Sequence, residues 1–490
     1  MKLPVLLLFL ACLLMLLVMA QSCQAPASGQ APPPPPPPPA PEALTGFDNL
    51  SNGFSDGDRR KTDQDFFEEV EQIAPDGLGP LYNAQSCREC HQTPVSGAAS
   101  QVSELRVGHL DSHGFFENPA IPINHGSETI TGRTLVNDRA ICAQIQEHAP
   151  STETIRTFRL ATNILGDGYV EAIPDATLLK IRKQQCRESH GKICGQAVKV
   201  PVPESEGADR IGRFGWKDQH ASLLAFAGDA YLNEMGITNS LEATEVTTIC
   251  NPPLTTVVPN TDPTKITEPN SLPDPKDNNL EDIDHFASFM RSLKAPARDE
   301  VISATPEAKQ GEELFSKVGC STCHVTTIMT GKSPAAPGGP GLHPDAVENK
   351  TIHPYSDFLL HNVGTGDGIA IALVEHFGRA RVERRLRQES AATESPKQME
   401  DECSESYQDA VAEGEKQPKL FRDTQCAREK IRTAPLWGLR IRSRLMHDGA
   451  SITVIDAIKR HKGESKEVIE RFEKLKPAEQ QAVLTFLSSL

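Results

Sequence analysis

The sequence predicts a mainly α-helical fold of two similar domains with long loops and insertions. Three observations lead there. The frame Cys-x-x-Cys-His occurs twice, in "SCRECHQT" (Ser86 to Thr93) and in "GCSTCHVT" (Gly319 to Thr326). Each copy is followed much later by an apolar, helix-like segment, "FASFMRSL" (Phe286 to Leu293) and "AVLTFLSSL" (Ala482 to Leu490). With 38 prolines and 5% aromatic residues, the 490-residue chain suits long loops better than one dense core. Its length is about two to three times that of a typical domain, so two cores are expected.

The chain opens on "MKLPVLLLFLACLLMLLVMAQSC", one lysine and then an apolar run ending in small residues. That is the layout of an export signal, assigned to residues 1–22, and the run is short for a membrane span. Two exits are open. One is cleavage after Ala20; the other is lipid attachment at Cys23, which would tether the protein to a membrane. Residues 23–44, with "GQAPPPPPPPPAPEA", lack the backbone donors and apolar bulk to pack, and extend as a polyproline II spacer. The expected location is periplasmic or exported, lipid-anchored if Cys23 is used.

Fifty basic residues against 66 acidic ones give a net charge of −16 with no basic stripe, which argues against a nucleic-acid partner. Of the 12 cysteines, Cys12 leaves with the signal, Cys23 is the lipidation candidate and four belong to the frames. The remaining six, Cys142, Cys186, Cys194, Cys250, Cys403 and Cys426, read as up to three disulfides in an oxidising compartment. Proximity suggests Cys186 with Cys194 and Cys403 with Cys426.

Two residues between cysteines set both thiols on one side of a turn, and the next residue can swing its imidazole toward whatever the sulfurs hold. For c-type haem the thiols add across the vinyl groups and the histidine becomes the proximal iron ligand. The chain is therefore expected to carry two covalently bound haem c groups, one at Cys87, Cys90 and His91, the other at Cys320, Cys323 and His324. Zinc would want a further ligand pair nearby, and a redox dithiol has no use for the histidine. Composition alone would give roughly 0.01 such frames in this length.

Ahead of the second frame, "SATPEAKQGEELFSKVGC" sets Ala308, Gly311, Leu314 and Phe315 at helical spacing behind a Thr305-Pro306 start. It resembles the helix that leads into the haem frame of a cytochrome c domain. "LKPAEQQAVLTFLSSL" resembles the closing helix that crosses it near a small residue such as Gly311. The echo "DNNLEDIDHFASFMRSLKAPARD" and the linker-like "APARDE" set a boundary near residue 297. The expectation is two cytochrome c-like haem domains, 45–297 with insertions and 298–490. "CNPPLTTVVPNTDPTKITEPNSLPDPKDNN" reads as loop; "SPAAPGGPGLHP" and the charged run from Arg384 to Lys419 read as surface insertions.

"TAPLWGLRIRSRLMHDGASITVIDAIKRH" (Thr433 to His461) resembles the C-terminal haem segment of bacterial di-haem cytochrome c peroxidases and of the di-haem enzyme that matures methylamine dehydrogenase. "GFDNLSNGF", "GLGPLYNAQSCRECH", "GRFGWKDQHASLLAF" and "YSDFLLHNVG" resemble one branch of that superfamily, the di-haem oxidoreductase/peroxidase family, also described as thiol oxidoreductases. The resemblance runs from Gly46 nearly to the end.

It implies several roles. The second axial ligand of the C-terminal haem falls twelve residues after Gly449, at His461. Paired with His324 it makes a low-spin site of lower potential than a His/Met centre; Met446 and His447 are the alternatives. A switchable distal histidine of the first haem corresponds to His109, with His113 close by. The proton-transferring glutamate corresponds to Glu234 in "YLNEMGITN", at a spacing two residues short. A tryptophan between the haems would be Trp216 or Trp437, both of which can also be packing residues. A calcium ion held by backbone oxygens corresponds to Thr433 and Pro435. The implied activity is peroxidase-like, the N-terminal haem activating the substrate and the C-terminal haem relaying electrons. The implied partners are hydrogen peroxide or another small oxidant and a small donor cytochrome or cupredoxin. A pure electron carrier, or oxidation of a protein or polymer through high-valent iron, remain the other readings.

Overall fold

Asp56 starts the first helix of the computed structural model, which describes residues 39–74, 76–205, 208–247, 249–250, 273–333, 340–371 and 419–490. Its carboxylate accepts the Arg59 N–H and opens α1 (Gly57–Glu68). The helices that follow are α2 (Cys87–Cys90), α3 (Asp167–Glu171), α4 (Asp175–Glu188), α5 (Leu223–Met235) and α6 (Asp282–Arg291). After them come α7 (Glu300–Ala304), α8 (Pro306–Val318), α9 (Lys419–Cys426), α10 (Val454–Arg460), α11 (Lys466–Glu473) and α12 (Pro477–Leu487).

α1 is polar along its length, yet it buries Arg60, Asp63 and Phe67, which fall on one face. That face meets α6: Asp63 accepts from Ser288 Oγ at 2.5 Å and from His285 Nδ1 at 2.8 Å, and Phe66 stacks on His285 at 3.9 Å. α8 and α12 make the corresponding pair around the second frame. Thr305 Oγ1 accepts the Ala308 N–H, Pro306 takes the first turn, and Gly319 at φ +103° ends the helix. α12 crosses at Gly311, where a Cβ would collide with the Ala482 carbonyl oxygen, so only glycine permits this approach. Phe315, Phe486 and Leu487 pack beside the crossing.

The fold is mixed α/β, with 33% helix and 16% strand, rather than mainly α. The difference lies chiefly in residues 103–160. There β1 (Ser103–Leu110) pairs antiparallel with β2 (Phe116–Glu117), β3 (Leu135–Val136) and, over six residues, β4 (Ile155–Leu160). β1 buries Arg106, Val107 and Gly108 in succession, so it lacks the apolar alternation by which a half-buried strand is read. Further along, β5 (Leu360–His361) pairs antiparallel with β6 (Ile431–Arg432).

Residues 40–490 form one compact unit, and its largest core joins Phe54, Tyr169 and Phe289 to Ile328, Phe358 and Trp437. The segment 295–299 is tied from several directions. Gly46 N–H bonds Ala295 O (2.9 Å), Ala295 N–H bonds Leu44 O (3.2 Å), Asp299 N–H bonds Ser489 O (2.7 Å), and Arg440 Nη1 donates to Ala297 O. Cys186 and Cys194 form a disulfide, the pair proximity suggested, and Cys142 bonds Cys250. Cys426 is also disulfide-bonded; Cys403 lies outside the described residues. So do the signal segment, Cys23, most of the tether, residues 251–272 and the charged insertion. Among the described residues no helix is long and apolar enough to cross a membrane.

Candidate functional site

Gly319 turns the chain sharply out of α8, so the second frame follows the helix directly as a 3-10 turn over Cys320–Thr322. His324 Nδ1 faces the Tyr355 carbonyl at 2.9 Å, and His461, immediately after α10, faces the Ala457 carbonyl through Nδ1 at 2.7 Å. A carbonyl only accepts, so both Nδ1 atoms carry the proton and both Nε2 atoms keep a lone pair. The two ring centroids are 6.5 Å apart. Two metal–imidazole bonds of ~2 Å, with ~1 Å from centroid to nitrogen at each end, span ~6 Å, so one iron fits between the rings. Burial pushes His324 down to about 4 and lowers His461 as well, which keeps both rings neutral, as iron ligands must be.

Around these rings is a cavity of about 670 Å³. Phe315, Leu439, Ile458, Phe472, Val483 and Leu487 supply apolar walls; Arg432 and Arg442 also line it, and their buried Nε atoms find no partner. Apolar walls with unsatisfied guanidinium donors suit a porphyrin face and its two propionates, so the residues present fit the group. Met446 and His447 line the same cavity. The ring facing His324, however, is that of His461; His447 faces Trp216 edge-on at 6.1 Å.

In the first frame Ser86 caps α2 by accepting the Arg88 N–H. His91 is tucked beside Phe67, ring centroids 6.3 Å apart, and burial pushes it down to about 4 against the backbone groups of Ala98 and Thr162, which favour its protonated form. Burial, and then the Glu71 charge, push the Cys87 thiol up; burial, and then Glu234, push Cys90 up to about 12. A reactive dithiol or a thiolate metal site needs the opposite shift. The set of two neutral thiols and a neutral imidazole again fits thioether attachment and iron ligation.

Glu234 lies in the last turn of α5 and accepts Asn83 Nδ2 at 2.7 Å. Beside it stands Glu104 of β1, gripped by Arg106 through Nε at 2.5 Å and Nη2 at 3.3 Å. Burial opposes a charge on Glu104, but Arg106 outweighs it and holds the carboxyl at about 2. Burial and the Glu104 charge push Glu234 well above the usual carboxylate range. The pair therefore shares one proton, carried by Glu234, and the charge that remains on Glu104 also acts on Cys90. No sequence signal marked Glu104, Arg106 or Asn83; β1 brings the first two to Glu234, and the Asn83 and Ala84 N–H groups, both bonded to the Glu234 carbonyl, bring the third.

The other candidates fall in different places. His109 sits at the outer end of β1, its Nδ1 2.8 Å from Glu153 and its Nε2 3.6 Å from Glu117. The "GH" segment is strand, which rises ~3.3 Å per residue, and it carries His109 along β1 to these carboxylate partners. His113 is exposed. Trp216 donates Nε1 to Leu160 O at 2.7 Å and lines the cavity that also reaches Gln92 and Thr93, directly after His91. Trp437 is packed in the main core against Gly166.

The calcium expectation does not fit. Thr433 O already accepts Ser356 Oγ at 2.5 Å, and Pro435 O accepts Arg442 Nη2 at 2.9 Å. Each carbonyl keeps a lone pair, but the Arg442 guanidinium at the Pro435 oxygen sets a positive charge where a divalent cation would have to sit.

Residues 142–379 match the family described as "Di-haem oxidoreductase, putative peroxidase". The matched stretch takes in the second frame and lies between the first frame and His461. No curated protein matches the chain. Among solved structures, a hydrazine synthase of Kuenenia stuttgartiensis aligns at 15% identity over 95% of this chain and 99% of that one, with a TM-score of 0.37. The diheme peroxidase BthA of Burkholderia thailandensis aligns at 13% over 92% and 94%, with a TM-score of 0.36. Scores this low carry no argument for this chain.

Proposed function

We propose that this chain, similar over residues 142–379 to the di-haem oxidoreductases, is an exported c-type member of the peroxidase-like kind. In this reading Cys87, Cys90 and His91 would hold a haem that supplies the iron for reducing hydrogen peroxide or another small oxidant, and Cys320, Cys323, His324 and His461 would hold one that supplies electron storage and relay. The observation that carries the reading is the pair His324 and His461, two neutral imidazoles facing each other across the width of one iron. Held by both His324 and His461, the second haem would serve electron relay. Among the described residues no second histidine ring faces His91 in the same way.

When bound at the first frame, haem supplies an iron at which the oxidant is reduced. Glu234, kept protonated beside Glu104, is placed to give a proton to a leaving oxygen and, once ionised, to take one from the next. Asn83 fixes its other oxygen, and Arg106 keeps Glu104 charged so that the shared proton stays on Glu234. Trp216, pinned at Leu160, offers an aromatic step across the cavity between the frames. Export is supported by the signal-like residues 1–22 and by two disulfides, which form in oxidising compartments. A tether at Cys23 and a small cytochrome or cupredoxin donor complete the proposal.

The test is the full chain purified from a host competent in cytochrome maturation, assayed for peroxide turnover with a reduced small cytochrome. One haem should bind cyanide and respond to peroxide while the other stays low-spin, and His461→Ala should alter the second alone. Two low-spin haems indifferent to peroxide and cyanide in every redox state would make the protein an electron carrier instead.

A further inference from the structure

Behind the second frame runs a buried polar chain that none of the roles above uses. The carbonyl of Thr322, inside the frame, accepts Gln185 Nε2 at 2.7 Å, and the same nitrogen reaches Asp357 Oδ2 at 2.5 Å. Asp357 Oδ2 lies 2.9 Å from His361 Nε2, and Glu464 Oε2 lies 2.8 Å from His361 Nδ1. His361 is 1% exposed and stands 3.8 Å from Cys323 Sγ. A carboxylate at each ring nitrogen requires a proton on each, so His361 is a buried imidazolium held between two anions.

Glu464 carries the chain into a loop. Its Oε1 accepts the Asn362 N–H at 2.9 Å and its Oε2 the Cys194 N–H at 3.1 Å. In return, Glu464 N–H bonds Asn362 O at 2.8 Å and Lys462 N–H bonds Val363 O at 2.7 Å. Residues 462–464 are thereby zipped to 361–363. His461 sits immediately ahead, at the end of a seven-residue helix and already out of helical geometry at φ −68°, ψ 125°. So short a helix does little by itself to fix the residue that ends it.

We propose that His361 is the positioning residue for the distal ligand of the second haem. The run Thr322, Gln185, Asp357, His361, Glu464 links the attachment frame on one side of the iron to the loop bearing His461 on the other, and it holds His461 in place. The proposal rests on His324 and His461 being the axial pair. Hydrogen bonds to ionised groups are about twice as strong as neutral ones, so the imidazolium with its two carboxylates is the firmest hold on this loop. Removing one member leaves another buried and unpaired, which makes the clamp act as a unit.

The test uses the full-length holoprotein with both haems and compares wild type, His361→Gln, Glu464→Gln and His461→Ala. In His361→Gln and Glu464→Gln, part of the second haem should turn high-spin, and cyanide should bind it about tenfold faster or more, a small part of what losing one partner of a buried ion pair costs. The first haem should keep its spectrum and its cyanide rate, which a general loosening of the fold would not spare. Should His361→Gln not accumulate, Glu464→Gln decides alone, because it keeps the side-chain volume and removes only charge. A low-spin second haem in both variants, with cyanide rates within about twofold of wild type, overturns the proposal. If His461→Ala leaves the second haem unchanged, the axial pair itself is wrong and the proposal falls with it; a changed His461→Ala beside an indifferent Glu464→Gln condemns the clamp only.

Discussion

Replacing Glu234 with glutamine separates the proton from everything else that side chain does. In the wild-type pair, Glu234 accepts from Asn83 with one oxygen and presents its proton toward Glu104 with the other. An amide repeats this pattern, its oxygen accepting from Asn83 and its N–H donating to Glu104, so the site should keep its shape, and stability should match wild type within about 0.5 kcal/mol at acid pH, below the unfolded carboxylate value, where Glu234 is neutral folded and unfolded. What is lost is proton transfer, worth roughly 10²- to 10⁴-fold in kcat/KM, about 3–5 kcal/mol of barrier. The pH dependence of stability supplies a second reading. Because the folded chain holds the Glu234 proton to higher pH than the unfolded chain does, that stabilisation is present below the unfolded carboxylate value of about 4.3 and fades as pH rises through the raised folded value. Glu234→Gln has no proton to lose there and should melt higher than wild type at alkaline pH. The assays are peroxide turnover with a reduced small cytochrome and thermal melts at mildly acid and alkaline pH. Turnover within about twofold of wild type removes Glu234 from the proton path, and a variant melting below wild type at alkaline pH refutes the shared-proton pair.

Two further outcomes follow from geometry alone. Gly311→Ala drives a methyl into the Ala482 carbonyl where α8 and α12 cross; it should cost about 1–3 kcal/mol in denaturant unfolding, and an unshifted midpoint would contradict the crossing. Dialysis against a calcium chelator should leave both haem spectra and turnover untouched, since the Thr433 and Pro435 carbonyls are already bonded to Ser356 and Arg442. Activity lost to the chelator and restored by calcium would contradict that arrangement.

The two frames were legible because all that attachment needs lies in five contiguous residues, and α8 because Thr305-Pro306, an apolar stripe and Gly319 mark its ends and its inner face. α1 escaped because its buried face is Arg60, Asp63 and Phe67: Asp63 is satisfied by His285 and Ser288, more than two hundred positions away, and Arg60 lies over the Phe289 ring, neither of which hydrophobic periodicity registers. The sheet escaped for a related reason. β1 and β4 bury Arg106 and Arg159 while Phe158 is exposed, so the usual alternation is partly inverted. His361 sits in "YSDFLLHNVG", yet one of its carboxylate partners is four residues away and the other more than a hundred, a constellation no local spacing rule describes. Trp216 and Trp437 were equal on paper; only the cavity wall separates them.

The seam at 295–299 has a bearing on how the protein is made. Leu44 and Gly46 close on it from the N-terminal side and Ser489 from the far end, and Ser489 is synthesised long after Cys87. A ligase must reach both sulfurs of a frame to join porphyrin to them, whereas in the finished fold those of the first frame lie against Glu71 and Glu234. If haem is attached at the first frame as proposed, its loading and the closure of the chain compete in time. A substitution that hastens closure would lower haem content at the first frame before it altered any property of the mature protein.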